Sequence, residues 1–149
     1  MQERYLRNVP ALTEEECQLL QQKRVLVVGC GGLGGNLISI LLRIGVGHLR
    51  IVDGDVFETT NLNRQLFSSI PALGHNKARI AAQRAGNINP DVALDVVEEF
   101  LTEENAQTLL WKHPEEGLRK AAAGLSWWRQ IHPHPQSGLH RFRCGSAGR

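Results

Sequence analysis

Very little charge of one sign is left over in this chain: 17 Lys and Arg against 15 Asp and Glu give a formal net charge of +2. So small a balance provides no basic face for nucleic acid and no acidic tail, and no nucleic-acid partner is expected. Long apolar runs are missing too. The longest candidate, "LISILLRIGVG" from Leu37, is broken by Arg43 and by glycines and is too short to cross a bilayer. No apolar stretch follows a basic start, so neither a membrane partner nor a leader is expected and the reading is cytoplasmic. Cysteine is scarce. Cys17, Cys30 and Cys144 are odd in number and form no C-x-x-C pair, which argues against a disulfide framework or a zinc site and makes reduced thiols the expectation. No residue is assigned to a resident metal.

What is present describes one soluble domain: 149 residues, 42% hydrophobic, 21% charged and 5% aromatic, enough for a real core. "TEEECQLLQQKR" from Thr13 carries a capping threonine, Glu16 at the capping-box position and basic residues at the far end, predicting a short lead-in helix. "RVLVVG" is a continuous β-branched run predicting a strand buried on both faces, and the glycine turn after it leads into "LGGNLISILLRIG", apolar at helical spacing. "HLRIVDGD" predicts a second buried strand ending in acids, completing a βαβ unit. "HNKARIAAQRAGNIN" predicts a helix stopped by Pro90, "VALDVVEEF" a third strand, and Thr102 a cap for one more helix. The expected fold is therefore α/β, a Rossmann-like parallel sheet with flanking helices, with a helical arm over 1–23, the sheet domain over 24–110 and an irregular tail over 111–149.

Gly29, Gly31 and Gly34 form G-x-G-x-x-G between the first strand and its helix. In a βαβ unit the first glycine makes a tight turn, the second lets backbone approach a diphosphate, and the helix N-terminus offers free N–H groups and a positive partial charge. Gly32 and Gly35 fit the same crowded turn. Asp53, at the end of the next strand, is placed to take ribose hydroxyls. Cys30 reads either as a low-pKa thiol at a helix N-terminus or, the favoured reading, as a small residue filling the turn. Up to Asp53 a nicotinamide or flavin domain and an ATP domain look alike; they part at "DGDVFETTNLNRQLF". Hydride transfer needs no cations beyond those that bind the cofactor, whereas breaking ATP between its α and β phosphates releases a pyrophosphate that Arg or Lys must stabilise. Arg64 and Lys77 supply such cations, with Asn61 and Gln65 beside them.

"GCGGLGGN", "VDGDVFETTNLNRQ" and "LGHNKA", in this order and spacing, resemble the ThiF/MoeB/HesA family, bacterial relatives of the ubiquitin-activating enzymes. "RYLRNV" at Arg4 to Val9 is similar to the family's Arg-Tyr-x-Arg opening, and the likeness runs to about Leu110. The resemblance implies ATP and Mg2+ as cofactors, and adenylation of the C-terminal carboxylate of a ubiquitin-like sulfur-carrier protein with loss of pyrophosphate. By position it implies that Gly29, Gly31, Gly32 and Gly34 form the phosphate loop, that Asp53 holds the ribose and that Asp55 and Asn61 border the nucleotide. Arg64, Gln65 and Lys77 would contact the phosphates. Arg7 would reach the triphosphate of a neighbouring subunit, which implies a homodimer.

The chain departs from the family after "NAQTLL". A further buried strand, the Asp-x-x-Asp-Asn that serves as the Mg2+ and catalytic position, and the carrier-binding second half are not found, so a truncated and inactive domain is one expectation. A shifted reading frame after Leu110 is another: Trp has one codon, and "LSWW" read two bases later gives consecutive apolar residues. His132, His134 and His140 are separated by prolines that suit no familiar zinc spacing. The alternatives carried forward are an enzyme that adenylates a small molecule or a tRNA-modification intermediate, an NAD(P)- or FAD-binding oxidoreductase domain, and a non-catalytic partner subunit. Three strands also leave an open sheet edge, which predicts dimerisation or aggregation.

Overall fold

The helices and strands follow the alternation in the sequence. A computed structural model of the chain describes residues 2–9 and 11–109, so the readings of the tail, its histidines and its frame lie outside the described residues. Residues up to Phe100 form one compact unit and those from Leu101 belong to a second. Elements of the first unit are a 3-10 turn (Glu3–Asn8), α1 (Glu14–Gln21), β1 (Arg24–Val28), α2 (Gly32–Ile44), β2 (His48–Val52), α3 (Lys77–Ile88) and β3 (Ala93–Val97). The second unit contributes α4 (Glu103–Leu109). There Thr102 and Asn105 cap each other: the Asn105 N–H donates to Thr102 Oγ1 at 3.3 Å and the Thr102 N–H to Asn105 Oδ1 at 2.7 Å.

α1 starts where the sequence placed it, with Thr13 Oγ1 accepting from Glu16 N–H and the Glu16 carboxylate accepting from Thr13 N–H. Its end differs from expectation. The helix stops at Gln21, so Lys23 and Arg24 lie beyond its last turn and Arg24 already opens β1. The three strands pair in parallel in the order β1-β2-β3. Register places Val27, Ile51 and Val96 side by side, and Val25, Leu49 and Leu94 likewise. Alternation puts both rows on one face. Ile38 and Leu42 of α2 join Ala78, Ile80, Ala81 and Ala85 of α3 and Val27, Leu49 and Ile51 of that face in one apolar core. Full burial of side chains the size of Ile38 or Leu42 contributes roughly 1.5–3 kcal/mol each, and truncating either to alanine costs about 2–5 kcal/mol.

β1 is not the doubly buried strand that its composition suggests. Val27 is buried while Arg24 and Val28 are exposed, because among the described residues β1 pairs only with β2 and the opposite sheet face is partly polar. At the centre of that face Arg50 and Asp95, register neighbours, form an ion pair. β2, flanked on both sides, is the strand that meets the expectation, with Leu49, Ile51 and Val52 buried.

Because the strands are parallel, their C-terminal ends share one edge of the sheet, where the glycine turn follows β1 and Asp53 follows β2. The opposite edge collects the C-terminal ends of α1, α2 and α3. There the Gly47 N–H bonds Leu20 O and the Ala93 N–H bonds Gly47 O.

Candidate nucleotide site

The turn after β1 explains its glycines individually. Gly29 has φ of +91°, a conformation open to glycine and costly for side chains, and its N–H bonds Val52 O at 2.8 Å, closing β1 against the end of β2. Gly34 lies in the first turn of α2 against Gly29, where a Cβ would stand 1.7 Å from the Gly29 carbonyl oxygen. Both are required by the protein's own backbone. Gly31 and Gly32 are not. A Cβ on Gly31 would meet only the Gln65 side-chain amide, at 3.7 Å, and one on Gly32 only Arg64 O, at 3.8 Å. Each has room for a methyl group in ordinary contact with the Arg64–Gln65 segment, which faces the turn.

Cys30 fills the turn. Its side chain is fully buried, and burial first, then the nearby Asp53 carboxylate, push the thiol well above its ordinary ionisation range, with Lys77 opposing. A protonated, enclosed thiol excludes the low-pKa reading. The Cys30 N–H donates to Asp53 Oδ2 at 2.7 Å, and the Asp55 N–H donates to Asp53 Oδ1 at 2.8 Å. Asp53 thus ties the glycine turn to the loop after β2, and each of its oxygens retains a lone pair for a further donor.

That loop is ordered by pairing back on itself. Val56 bridges Asn76 and Phe57 bridges Leu73, and the Phe57 ring is buried. The pairing brings Lys77 to Asp55, Nζ to Oδ2 at 2.9 Å, with the lysine side chain 8% exposed and the aspartate 48%. Lys77 also lies over the Phe57 ring. So Lys77 is a buried, directed cation rather than a solvated one. Asn76, whose role the sequence did not disclose, caps α3 through Oδ1 to Arg79 N–H and donates from Nδ2 to the carbonyls of Asp53 and Asp55. The signal for the cap was legible, since an asparagine precedes the helix start; its second task depends on a loop pairing that has no sequence signature.

The Asn61–Gln65 segment forms the other wall. Asn61 is buried, and its side chain turns inward: Oδ1 accepts from Glu58 N–H at 2.9 Å, while its carbonyl accepts from Arg64 and Gln65 N–H. The residue organises the wall rather than presenting its amide oxygen to the cleft. Arg64 is exposed, with Nη1 on Thr60 O at 2.8 Å and Asn63 Oδ1 at 3.0 Å. Gln65 is the group that stands out. It is 6% exposed, its amide faces Gly31, and Oε1 is a buried acceptor with no hydrogen-bond partner among the described residues. A buried unpaired polar atom costs about 1–3 kcal/mol.

Gly31, Gly32, Asp53, Gln65 and, through its backbone, Arg64 meet around the glycine turn, and Asp55 and Lys77 form a neighbouring pair beside Asp53. Arg7 is not brought to them. Its 3-10 turn docks at the C-terminal end of α2, where Asn8 Nδ2 lies 3.5 Å from Ile44 O. α2 has 13 residues, so the glycine turn is about 20 Å from that end. Among the described residues no three His, Cys, Asp or Glu side chains converge on a metal-sized site, and no helix is long and apolar enough to cross a membrane.

The ThiF family pattern matches residues 4–114. Over 98 residues the chain is 32% identical to the tRNA threonylcarbamoyladenosine dehydratase of Haemophilus influenzae, covering 66% of this chain and 38% of that one. Over 110 residues it is 36% identical to the sulfur carrier protein adenylyltransferase of Thermus thermophilus, covering 72% and 41%. The E. coli tRNA threonylcarbamoyladenosine dehydratase, solved in complex with ATP, superposes with a TM-score of 0.73 at 30% identity over 87% of this chain and 56% of that one. The chain thus spans about 40% of the length of these two curated relatives.

Proposed function

The chain belongs to the ThiF family, and we propose that it binds ATP between the glycine turn and the Arg64–Gln65 wall to adenylate the C-terminal carboxylate of a ubiquitin-like sulfur-carrier protein. One observation carries this reading: the buried Gln65 amide oxygen, without a partner among the described residues, on a side chain that packs over the backbone of Gly31. A donor on a bound nucleotide would give that oxygen the partner it lacks among the described residues. The carrier as acceptor is supported by the likeness to the Thermus adenylyltransferase.

When bound, ATP supplies an electrophilic α-phosphorus and a pyrophosphate leaving group. The chain's residues position and neutralise. The first N–H groups of α2, at Gly31 and Gly32, have backbone room to approach phosphate, and the helix dipole adds positive potential there. Asp53, already oriented by two N–H bonds, offers its remaining lone pairs to ribose hydroxyls. Lys77 uses one of three donors on Asp55 and directs the others toward the phosphate chain. Arg64 swings from its carbonyl anchor to the leaving pyrophosphate, an exposed residue with freedom to do so. Converging cations screen the repulsion between the attacking carboxylate and the phosphates. Mg2+ would enter with the nucleotide and would screen the charge of its phosphates.

A homodimer completes the site. Arg7 lies too far from its own glycine turn to touch it, and in the neighbouring subunit it reaches the triphosphate. Leu33, Leu37 and Ile40, exposed at i, i+4 and i+7 on α2, support a second copy as the covering surface. The likeness to tRNA threonylcarbamoyladenosine dehydratases favours a second reading, in which the activated group belongs to a modified tRNA.

Exchange of labelled pyrophosphate into ATP by the full chain tests the assignment. Exchange that depends on added carrier protein, and falls at least tenfold in Arg64→Ala, supports it. Exchange driven by tRNA instead supports the second reading, and an unchanged rate in Arg64→Ala overturns the role of that arginine.

A further inference from the structure

One buried amide takes no part in the glycine-turn site. Asn89, 3% exposed, follows the last residue of α3 at the far edge of the sheet, and its N–H bonds Ala85 O at 2.8 Å. Its Nδ2 donates to Tyr5 Oη at 2.9 Å and to Leu42 O at 3.1 Å, while Oδ1 accepts from Arg4 Nη1 at 2.7 Å and from Asp91 N–H at 3.2 Å. All four hydrogen-bonding positions of the amide are filled. Arg4 is held again by Asp91, at 3.1 Å, and stacks toward the Tyr5 ring. Tyr5 is 3% exposed and rests on Gly45, where a Cβ would stand 2.9 Å from the ring.

A six-residue 3-10 turn has no internal means of holding its place, since its hydrogen-bond geometry is poor and its nucleus is costly. Its position must come from tertiary contacts, and Asn89 supplies two of them from a residue more than 80 positions away. The same turn carries Arg7, which is exposed two residues after the clasped tyrosine.

We propose that Asn89 is a positioning residue: by clasping Arg4 and Tyr5 it fixes the arm so that Arg7 stands ready for the triphosphate bound by a second copy. The inference rests on the reading of Arg7 given above and adds the device that makes it effective. An arginine on a free arm spends most of its time elsewhere, and its effective concentration at the partner site falls accordingly.

The full chain, at a concentration where it self-associates, is titrated with ATP and with AMP, and trypsin cleavage after Arg7 is timed in parallel. Losing one charge-assisted contact weakens binding about tenfold or more, so Arg7→Ala is expected to lose that factor for ATP and little for AMP. Asn89→Ala is expected to show the same ATP-specific loss, faster cleavage after Arg7, and no additional loss when combined with Arg7→Ala. Wild-type ATP affinity in Asn89→Ala beside a weakened Arg7→Ala overturns the proposal, as do losses that multiply in the double variant. An Arg7→Ala chain that binds ATP like wild type refutes the earlier assignment of Arg7, and the proposal with it. If Asn89→Ala fails to fold, Tyr5→Phe, which removes one of the clasp's bonds, is judged by the same readouts with a loss of about threefold.

Discussion

Gly34→Ala places a methyl carbon 1.7 Å from the carbonyl oxygen of Gly29 and 2.7 Å from its carbonyl carbon. Carbon–oxygen contacts rarely close below about 3.3 Å, so relief requires moving backbone by about 1.5 Å. Both sides of the clash are main chain, one in the first turn of α2 and the other in the turn closing β1, and no side chain can swing away. The shift would part α2 from the sheet face that holds Ile38 against Ile51. Overpacking of this kind costs about 1–3 kcal/mol before lost helix–sheet contacts are added, and the better helix propensity of alanine returns about 1 kcal/mol. Lost contacts between α2 and the sheet add about 2 kcal/mol, giving a net loss of about 2–4 kcal/mol, which for a unit of this size lowers Tm by roughly 10–25 °C. Gly31→Ala is the control. Its methyl meets only the Gln65 amide at 3.7 Å, and replacing a glycine N-cap costs about 1 kcal/mol. Scanning calorimetry on both variants, with ATP titration of Gly31→Ala, separates packing from ligand contact: Gly34→Ala loses about 2–4 kcal/mol, whereas Gly31→Ala loses no more than about 1 kcal/mol and loses ATP affinity. A Gly34→Ala protein melting within about 3 °C of wild type would refute the reasoning.

Three further outcomes are expected. Cys30 holds its proton far more tightly folded than unfolded, so the native state resists ionisation of a thiol that the unfolded chain ionises at an ordinary pKa of 9.0; stability is unaffected below that pH and falls progressively above it, and the urea midpoint measured across pH 8 to 10.5 declines more steeply in wild type than in Cys30→Ala. Asp55→Asn leaves Lys77 buried beside a neutral amide; because Asp55 is 48% exposed the cost is about 1–2 kcal/mol by urea melting, and ATP binding falls as the lysine loses its guide. Leu37→Glu, in the exposed stripe of α2, is expected to leave the stability of the monomer within about 0.5 kcal/mol of wild type while abolishing self-association in sedimentation, and a dimer of undiminished affinity contradicts the proposed interface.

Most of the secondary structure was legible because each element carries its own local signal. Thr13 and Glu16 mark a capping box, Thr102 marks a helix start, and the spacing of Gly29, Gly31 and Gly34 marks a strand-to-helix turn. β1 was misjudged for a reason that composition cannot reveal: burial on both faces depends on what lies beside and over a strand, and Val28 is exposed despite its β-branched surroundings. Candidate residues for the site could be named from the sequence, but their geometry could not. Nothing in "NLNRQ" separates Asn61, which turns inward to Glu58, from Gln65, whose oxygen is left without a partner. Lys77 was read as a cation for phosphate, but its burial and its aspartate partner come from the pairing of Val56 with Asn76 and of Phe57 with Leu73, which has no sequence signature. Asn89 was invisible because its partners, Arg4 and Tyr5, lie at the other end of the described chain.

The most direct measurement is equilibrium titration of the full chain with ATP and with NAD+, repeated on Gln65→Ala. Preferential binding of ATP, weakened at least tenfold by that substitution, is expected from an amide waiting at the glycine turn. Tighter binding of NAD+, or ATP binding indifferent to Gln65, contradicts the nucleotide site described for this protein.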